Sequence, residues 1–550
     1  AWLVRGGRGE HHPHPAAALY VRMVAQGRYA AVDTALAQSV VRVLGEYEAA
    51  KGGARWIPPA SLRLCWVHAL NALARALWSA QAAHRQQALS RLTRLAGVAG
   101  SLAHRSTRKW AAYLEATTSS CSAADAVGDA TAVAALTRLA LCAVMAMNGG
   151  SSLKVAYHVR KASKLLSSSR LADVEPELSA PVAASVATAR GGAGILLALA
   201  SLPSMASKMS GVSITVSEGW ELLHEAVVSS SIDAPLATLL LACSLVSYPR
   251  GRSGDSKQAR LAEAEAMLAE LARASSRPLP MVQLIFGKAA RARGEPEVAP
   301  SALDAVVGSG MDARRSTLVG LLAYEAGMTA LCLGDFEHAI AALGTAAEVD
   351  DATLRGRAGL AVAGAHVLAG RHDVGAQLLA QQAERESRAT PESRLASRLL
   401  AAQALGLVAF TVFYLDRELH HFSAERAAAW LKVLDERLAG ESSLWARMLE
   451  PSLAHEARHV EHLIRGVLLA LTGAREQASA SLLCAAGLPA PPTPEICGET
   501  WVTPHALFEL AVLHADDDGS TRAAELKASA AKVCGYDWEP QLRLRLSTLS

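Results

Sequence analysis

Apolar residues recur along this chain at three- and four-residue intervals. Between Gln258 and Ala274, Leu261, Ala264, Leu268 and Leu271 stand at i, i+3, i+7 and i+10, while Glu263, Glu265 and Glu270 fall off that stripe. That is the signature of an amphipathic helix. Stretches rich in Gly, Pro or Ser punctuate the pattern at Asn148–Ser152, Ser167–Ser169, Pro249–Ser256, Arg277–Pro280, Thr390–Glu392 and Pro489–Glu495. Each interval between them has room for one or two helices. No segment alternates with period two long enough to predict a sheet, so the pattern predicts helices throughout.

The pattern also repeats. A tetratricopeptide unit places two helices in about 34 residues, with a small residue where the helices cross, a glycine at the turn and small residues on the second helix. Between Ser316 and Asp351, Gly327 takes the crossing position, Gly334-Asp335-Phe336 the turn, and Ala339, Leu343 and Ala346 the inner face of the second helix. Gly466, Gly473, Ala478, Leu482 and Ala485 reproduce those offsets. Weaker echoes surround Gly287 and Gly294, Gly370, and the final stretch with Phe508, Ala524 and Ala531. The expected fold is all-α, an α-α superhelix formed by a degenerate tetratricopeptide-repeat solenoid. Residues 1–64 are expected to form a divergent N-terminal helical segment, 65–256 an N-terminal helical-repeat region, and 257–550 a C-terminal tetratricopeptide-like region.

Composition supports this picture. The 550 residues are 51% hydrophobic but only 5% aromatic, enough apolar surface for an extensive core made from helix formers. The 54 basic and 51 acidic residues give a net charge of +3 and are mixed along the chain, which argues against a nucleic-acid partner. Eight cysteines lack a CxxC pair and are expected to be reduced, buried small hydrophobes. The apolar stretches Ala193–Leu202 and Ala234–Val246 fall short of the ~20 residues of a membrane span, so no transmembrane segment is expected. The chain begins Ala1-Trp2 without an initiator Met, which leaves room for a targeting segment upstream.

Several constellations suggest chemistry. His455-Glu456-Ala457-Arg458-His459 is a literal HExxH, the zinc-protease pattern in which two His one turn apart bind metal and Glu is the base. His462 extends it, since the three His lie within about 60° on a helical wheel. Val460, Leu463, Ile464, Val467 and Leu471 centre about 130° away, which predicts a solvated His face, and the third ligand of a catalytic zinc is missing apart from the distant Glu476. The tract His11-His12-Pro13-His14 reads as an incidental terminal run. Gly191, Gly192 and Gly194 lack the order of a phosphate-binding loop and read as helix termination or close helix crossing. The tryptophans at 56, 66, 78, 110, 220, 430, 445, 501 and 538 read as core more than groove. Basic pairs such as Arg160-Lys161 and Arg543 with Arg545 read as solvated faces able to meet an acidic partner or an anionic lipid surface.

Several segments, in order from about residue 65 to the end, resemble the tetratricopeptide repeat protein 39 family, which includes fungal inclusion-body-clearance proteins. They are Ser152-Leu-Lys-Val-Ala-Tyr-His-Val-Arg-Lys161, Gly191-Gly-Ala-Gly-Ile-Leu-Leu-Ala-Leu-Ala-Ser-Leu-Pro203, Gly219-Trp220-Glu221-Leu222-Leu223, Thr503-Pro-His-Ala-Leu-Phe-Glu-Leu-Ala511 and Gly535-Tyr-Asp-Trp-Glu539 with Leu542 and Arg545. The resemblance implies a non-catalytic adaptor tied to lipid homeostasis or clearance of misfolded protein, working in the cytoplasm or at a lipid droplet, mitochondrial surface or nucleus. The expected function is a scaffold whose concave groove holds a peptide or helix of a protein partner. A peripheral lipid-droplet or membrane-surface protein docking through Ala193–Leu202 is the second reading, and a zinc hydrolase at His455 and His459 the third. No catalytic, cofactor or metal residue is assigned, and groove residues are not legible.

Overall fold

The computed structural model describes residues 29–50, 56–78, 82–117, 119–147, 152–199, 216–229, 231–247, 257–273, 280–298, 317–349, 351–385, 390–445, 451–487, 501–515 and 521–547. Among them every regular element is a helix. The chain divides into two compact units, one of Ala1–Ser247 with Gly251–Ile285 and one of Tyr248–Arg250 with Phe286–Ser550.

The first unit holds α1 (Tyr29–Ala49), α2 (Pro59–Trp78), α3 (Ala82–Ala103), α4 (Thr107–Ala116), α5 (Ala123–Met147), α6 (Ser152–Leu166), α7 (Ser169–Val174), α8 (Ala180–Leu199), α9 (Val216–Val228), α10 (Ala234–Ser247) and α11 (Lys257–Arg273). Serines start several of them. Ser106, Ser122 and Ser168 each accept from the backbone N–H three residues on, at 3.4, 2.9 and 3.4 Å, satisfying donors that a helix start leaves free. The α5 helix is the hub, packed by α2, α3, α6 and α8. Its stretch Ala123–Met145 is long and apolar enough to cross a membrane, which makes it longer than either apolar run singled out from sequence. It is almost wholly buried among its neighbours, the condition of a core helix.

In α11, Leu261, Ala264 and Leu268 face inward as the periodicity requires, and Leu271 is half-buried. Gly191 lies within α8, so it does not terminate a helix. A Cβ there would come 2.7 Å from the Gly219 carbonyl oxygen and 2.8 Å from Leu223 Cγ. Glycine is what lets α8 and α9 approach this closely. Ala193 and Ile195 are buried, so these two members of the stretch expected to dock on lipid are already covered by protein. The side chains of residues 196–202 lie outside the described set.

Helix α12 spans Pro280–Arg293. The second unit continues with α13 (Thr317–Leu333), α14 (Phe336–Ala347), α15 (Ala352–Leu368), α16 (His372–Arg385), α17 (Pro391–Ala401), α18 (Leu407–Leu415), α19 (Ala424–Trp445), α20 (Pro451–Leu471), α21 (Arg475–Gly487), α22 (Val502–His514), α23 (Thr521–Lys532) and α24 (Glu539–Ser547). Consecutive helices pack on one another from α13 to α17 and from α20 to α23. That is the neighbour-to-neighbour order of stacked helical hairpins.

One construction recurs in these hairpins. Gly327 crosses Leu343, whose Cγ would stand 2.5 Å from an added Cβ, and Gly466 crosses Leu482 at 2.6 Å. Ala339, Leu343, Ala346, Ala478, Leu482 and Ala485 are all buried, as the spacing predicts. The echo at Gly370 is a partial copy, with Ala363 at the crossing and buried Gln382 where the other two carry alanine. Ala363 and Leu379 are buried at the matching offsets, and Gly375 closes on Val367, whose Cγ2 would lie 2.5 Å from a Cβ. At Gly334, Gly370 and Gly473 the backbone is left-handed, with φ of +78°, +82° and +81°. The N–H groups of the glycine and the next residue bond back to the ending helix, for example Gly370 N to Val367 O at 3.0 Å and Arg371 N to His366 O at 2.8 Å. This closure satisfies the last carbonyls of the first helix and aims the second one back along it.

Two expected echoes need correction. Gly287 meets nothing within 4 Å of an added Cβ, so it is no crossing point, although Gly294 does make the turn at φ +84°. Ala524 and Ala531 are exposed, and Leu526 and Ala530 are the inward residues of α23. The fold is all-α, built from degenerate tetratricopeptide-type hairpins.

Gln403 ends α17 in the same left-handed closure without being glycine. Its φ is +51°, and Ala404 N bonds to Leu399 O at 2.9 Å. A side chain in that region costs about 1 kcal/mol. Gln403→Gly is expected to raise stability by up to about 1 kcal/mol, read as a higher Tm of the second unit by calorimetry; an unchanged or lower Tm contradicts the assignment of strain.

Candidate functional site

The HExxH segment sits on α20, a helix packed by α18, α19, α21 and α22. With neighbours on several sides, its two wheel faces do not divide into core and solvent. His459 is buried at 7% exposure, and His462 is half-buried with its Nδ1 shut off from water. The expected solvated His face is therefore overturned at His459 and His462. Glu456, the would-be base, has its Oε1 3.2 Å from Arg398 Nε. Arg398 also lies 3.6 Å from Asp537, which Arg394 holds through Nε at 3.0 Å. Glu456 is thus a member of an ion-pair chain joining α17, α20 and the segment before α24. Glu476 is exposed at the start of α21. Among the described residues no group of three or more His, Cys, Asp and Glu is arranged to hold a metal ion. The side chain of His455 and the tract at His11 lie outside the described set.

The chemistry-bearing residues that the fold does assemble are buried braces. In the first unit Arg63 on α2 donates through Nε to Asp129 on α5 at 2.5 Å and through Nη1 to Asp233 at 2.7 Å. Trp66 Nε1 donates to the other Asp233 oxygen at 3.0 Å. Burial lifts the Asp129 carboxyl above its ordinary range despite the guanidinium beside it. Closer to the surface, Asp33 on α1 accepts from Arg75 at 2.6 Å and Arg91 at 2.7 Å, and His68 stands 3.4 Å away. Burial opposes the charge of Asp33, yet these cations hold its pKa below the ordinary carboxylate value.

In the second unit the braces radiate from α18, whose nine residues are all buried, and from the turn after it. Asp416 accepts from Arg357 of α15 at 2.9 Å and from the Tyr324 hydroxyl of α13. Glu418 accepts from Arg291 Nε of α12 at 3.0 Å. Arg291 also donates to the Glu325 carboxylate, the Glu325 carbonyl at 3.0 Å and Thr329 Oγ1 at 2.9 Å. The Tyr414 hydroxyl donates to Glu509 at 3.0 Å, which leaves it to accept from His505 Nδ1 at 3.0 Å, while His420 Nε2 bonds Glu509 at 2.9 Å. Arg545, read from sequence as a solvated cation, is 4% exposed and caps the C-terminal carbonyls of α18 at Tyr414 and Leu415. Arg543 is half-buried and bonds Glu539 at 2.5 Å.

These settings shift pKa values in physically distinct ways. Burial, aided by the charge of Arg545 and by His420, drives His505 well below the ordinary imidazole value. Burial and Arg91 push His68 down to about 4, against the pull of Asp33. Burial raises Glu509, but His420 and Arg545 outweigh it and leave the carboxyl low. A histidine whose folded pKa lies below the unfolded value of about 6.5 contributes stability that is whole above that pH and drains away as pH falls toward the folded pKa. Lowered carboxylates lose theirs only below about pH 4. Stability is therefore expected to decline first between about pH 6.5 and pH 4. Urea unfolding at pH 8 and pH 5 checks this: His505→Phe is expected to narrow the gap between the two pH values by up to about 2 kcal/mol, and an undiminished gap refutes it.

The tryptophans behave as core: Trp66, Trp110, Trp220, Trp430, Trp501 and Trp538 are buried. Trp56 is half-buried, stacked on Tyr113 with ring centroids 4.7 Å apart. The side chains of Trp78 and Trp445 are outside the described set. Among cysteines, Cys65, Cys142 and Cys332 are buried thiols, whereas Cys484 and Cys534 are exposed, against the expectation of burial.

No family model matches this chain, and no curated protein does. Among solved structures it is similar to one described as a human IFIT1 dimer with PPP-AAAA, at a TM-score of 0.31 and 13% identity, over 82% of this chain and 95% of that one.

Proposed function

We propose that this chain is a scaffold that binds protein partners on the outer faces of its helical hairpins. The observation that carries the reading is how its ionisable groups are used. Arg63, Arg291, Glu418, Glu509, Arg545 and Glu456 bond to neighbouring helices, which stiffens a frame and gives them no open site from which to act on a substrate. A rigid array of hairpins presents extended helix surfaces at low ordering cost, which favours binding.

Within this reading, the resemblance of the 503–511 and 535–539 segments to the tetratricopeptide repeat protein 39 family supports a role in lipid-linked biology or clearance of misfolded protein, exercised in the cytoplasm. Proximity labelling followed by binding assays on purified components tests the scaffold. The expected result is at least one labelled protein that binds the purified chain directly. Labelled proteins none of which binds it, or stoichiometric zinc with a peptidase activity that Glu456→Gln abolishes, would overturn it.

A further inference from the structure

Helix α6 carries no acidic residue. Its apolar positions Val155, Ala156, Val159, Ala162, Leu165 and Leu166 are buried, against α5 and α8. The outward face holds Lys154, Tyr157, Arg160, Lys161 and Lys164, all exposed. On a helix the first and last of these are about 15 Å apart, and all five fall in a band about 120° wide with Tyr157 at its centre. The sequence singles out Arg160 and Lys161 as a solvated basic pair, and the helix adds Lys154, Tyr157 and Lys164 to the same face.

Two features mark the row. Several arginines elsewhere find carboxylates: Arg94 bonds Glu48 at 2.7 Å, Arg465 bonds Asp435 at 2.6 Å and Glu461 at 2.9 Å, and Arg371 bonds Glu337. The four cations of α6 have no acidic partner among the described residues. Tyr157, in turn, is 53% exposed. Lys161 Nζ lies 5.6 Å from its ring centroid, and behind it Arg138 of α5 adds a half-buried positive charge with its Nε shut from water and without a hydrogen-bond partner.

We propose that this face docks an acidic peptide segment, with carboxylates meeting Lys154, Arg160, Lys161 and Lys164 on either side of an aromatic or aliphatic residue laid on Tyr157. The proposal rests on the scaffold reading and deepens it by naming one surface and the chemistry of its partner. Unpaired cations in a narrow row complement a linear polyanion of like length, about five extended residues or three helical turns. A bilayer suits the row less well. The apolar side of α6 is spent inside the protein, whereas a helix lying on lipid inserts that side. The exposed Asp173 and Glu177 just beyond the helix would also be pressed toward an anionic plane.

The test uses the full chain and three probes: a fluorescent decapeptide of Glu and Asp with a central Phe, phosphatidylserine-containing vesicles, and a single-stranded RNA oligonucleotide. The peptide is expected to bind with a salt-dependent Kd. Combined Lys161→Glu and Lys164→Glu weakens it about tenfold or more, Tyr157→Ala weakens it severalfold, and Lys432→Glu, on α19 of the other unit, leaves it unchanged. Circular dichroism is expected to stay the same, because the changed residues are exposed. Peptide binding indifferent to the Lys161 and Lys164 reversal overturns the proposal, as does tighter binding of vesicles or RNA that the same reversal abolishes. A partner from the labelling experiment that binds wild type and reversal variant equally would sink this surface while leaving the scaffold reading intact.

Discussion

Arg291→Met is expected to cost about 3–5 kcal/mol, because it strips the shared partner from two buried carboxylates. Arg291 sits at 4% side-chain exposure between Glu325 and Glu418, themselves 7% and 8% exposed. Methionine of similar reach fills the space but removes the charge that both carboxylates face. Lys288 still holds Glu325 at 2.8 Å, so the damage concentrates on Glu418, whose carboxyl burial already raises in pKa. Adding Glu418→Leu to Arg291→Met is expected to recover a large part of the loss, since a brace replaced on both sides by apolar groups leaves no uncompensated ion. Calorimetry reads the pair of variants: the unfolding transition of the second unit moves down and then back. A single-variant loss under about 1 kcal/mol, or no recovery in the double, would show that this network does not brace the helices.

The second large effect is at Gly364. A Cβ there would lie 2.8 Å from both Cα and N of Ala409 and 2.9 Å from its Cβ. The obstacle is the backbone of α18, which is enclosed on every side and has no room to retreat. Gly364→Ala is expected to destabilise the second unit by about 1–3 kcal/mol even though alanine is the better helix former. Gly344, within α14, gives the opposite sign. Nothing stands within 4 Å of a Cβ at that position, so Gly344→Ala is expected to gain about 0.5–1 kcal/mol. Equal responses at the two glycines, measured as Tm shifts, would mean that packing of α15 on α18 does not set the requirement for glycine.

The hairpins were legible in the sequence because their rules are local. A glycine at the crossing, a glycine at the turn seven residues on, and small residues at fixed offsets are demanded by geometry inside some 20 residues, so Gly327 through Ala346 and Gly466 through Ala485 can be read directly. What depended on distant partners could not be. Arg63 and Asp233 are 170 positions apart and Arg291 and Glu418 are 127 apart; no window along the chain joins them. A local signal did exist, a lone charge inside an apolar run, as with Glu509 in α22. His459 and His462 were misplaced for a related reason. A helical wheel assumes one wet face, and α20 has helices on several sides. Arg545 misled likewise, since a basic residue near the C-terminal end of a chain carries no mark that it will cap a buried helix.

The enclosure of α18 changes what kind of object the second unit is. In a simple stack of hairpins each pair leans only on its neighbours, and an end can peel away while the rest persists. Here nine consecutive residues, Leu407–Leu415, are enclosed, and side chains from α12, α13, α15, α22 and α24 are tied to that helix or to the turn that follows it. Loosening any of these spokes would open the axle to water, so the unit is expected to melt as a whole. Its amides along 407–415 should exchange with solvent only when everything around them has come apart.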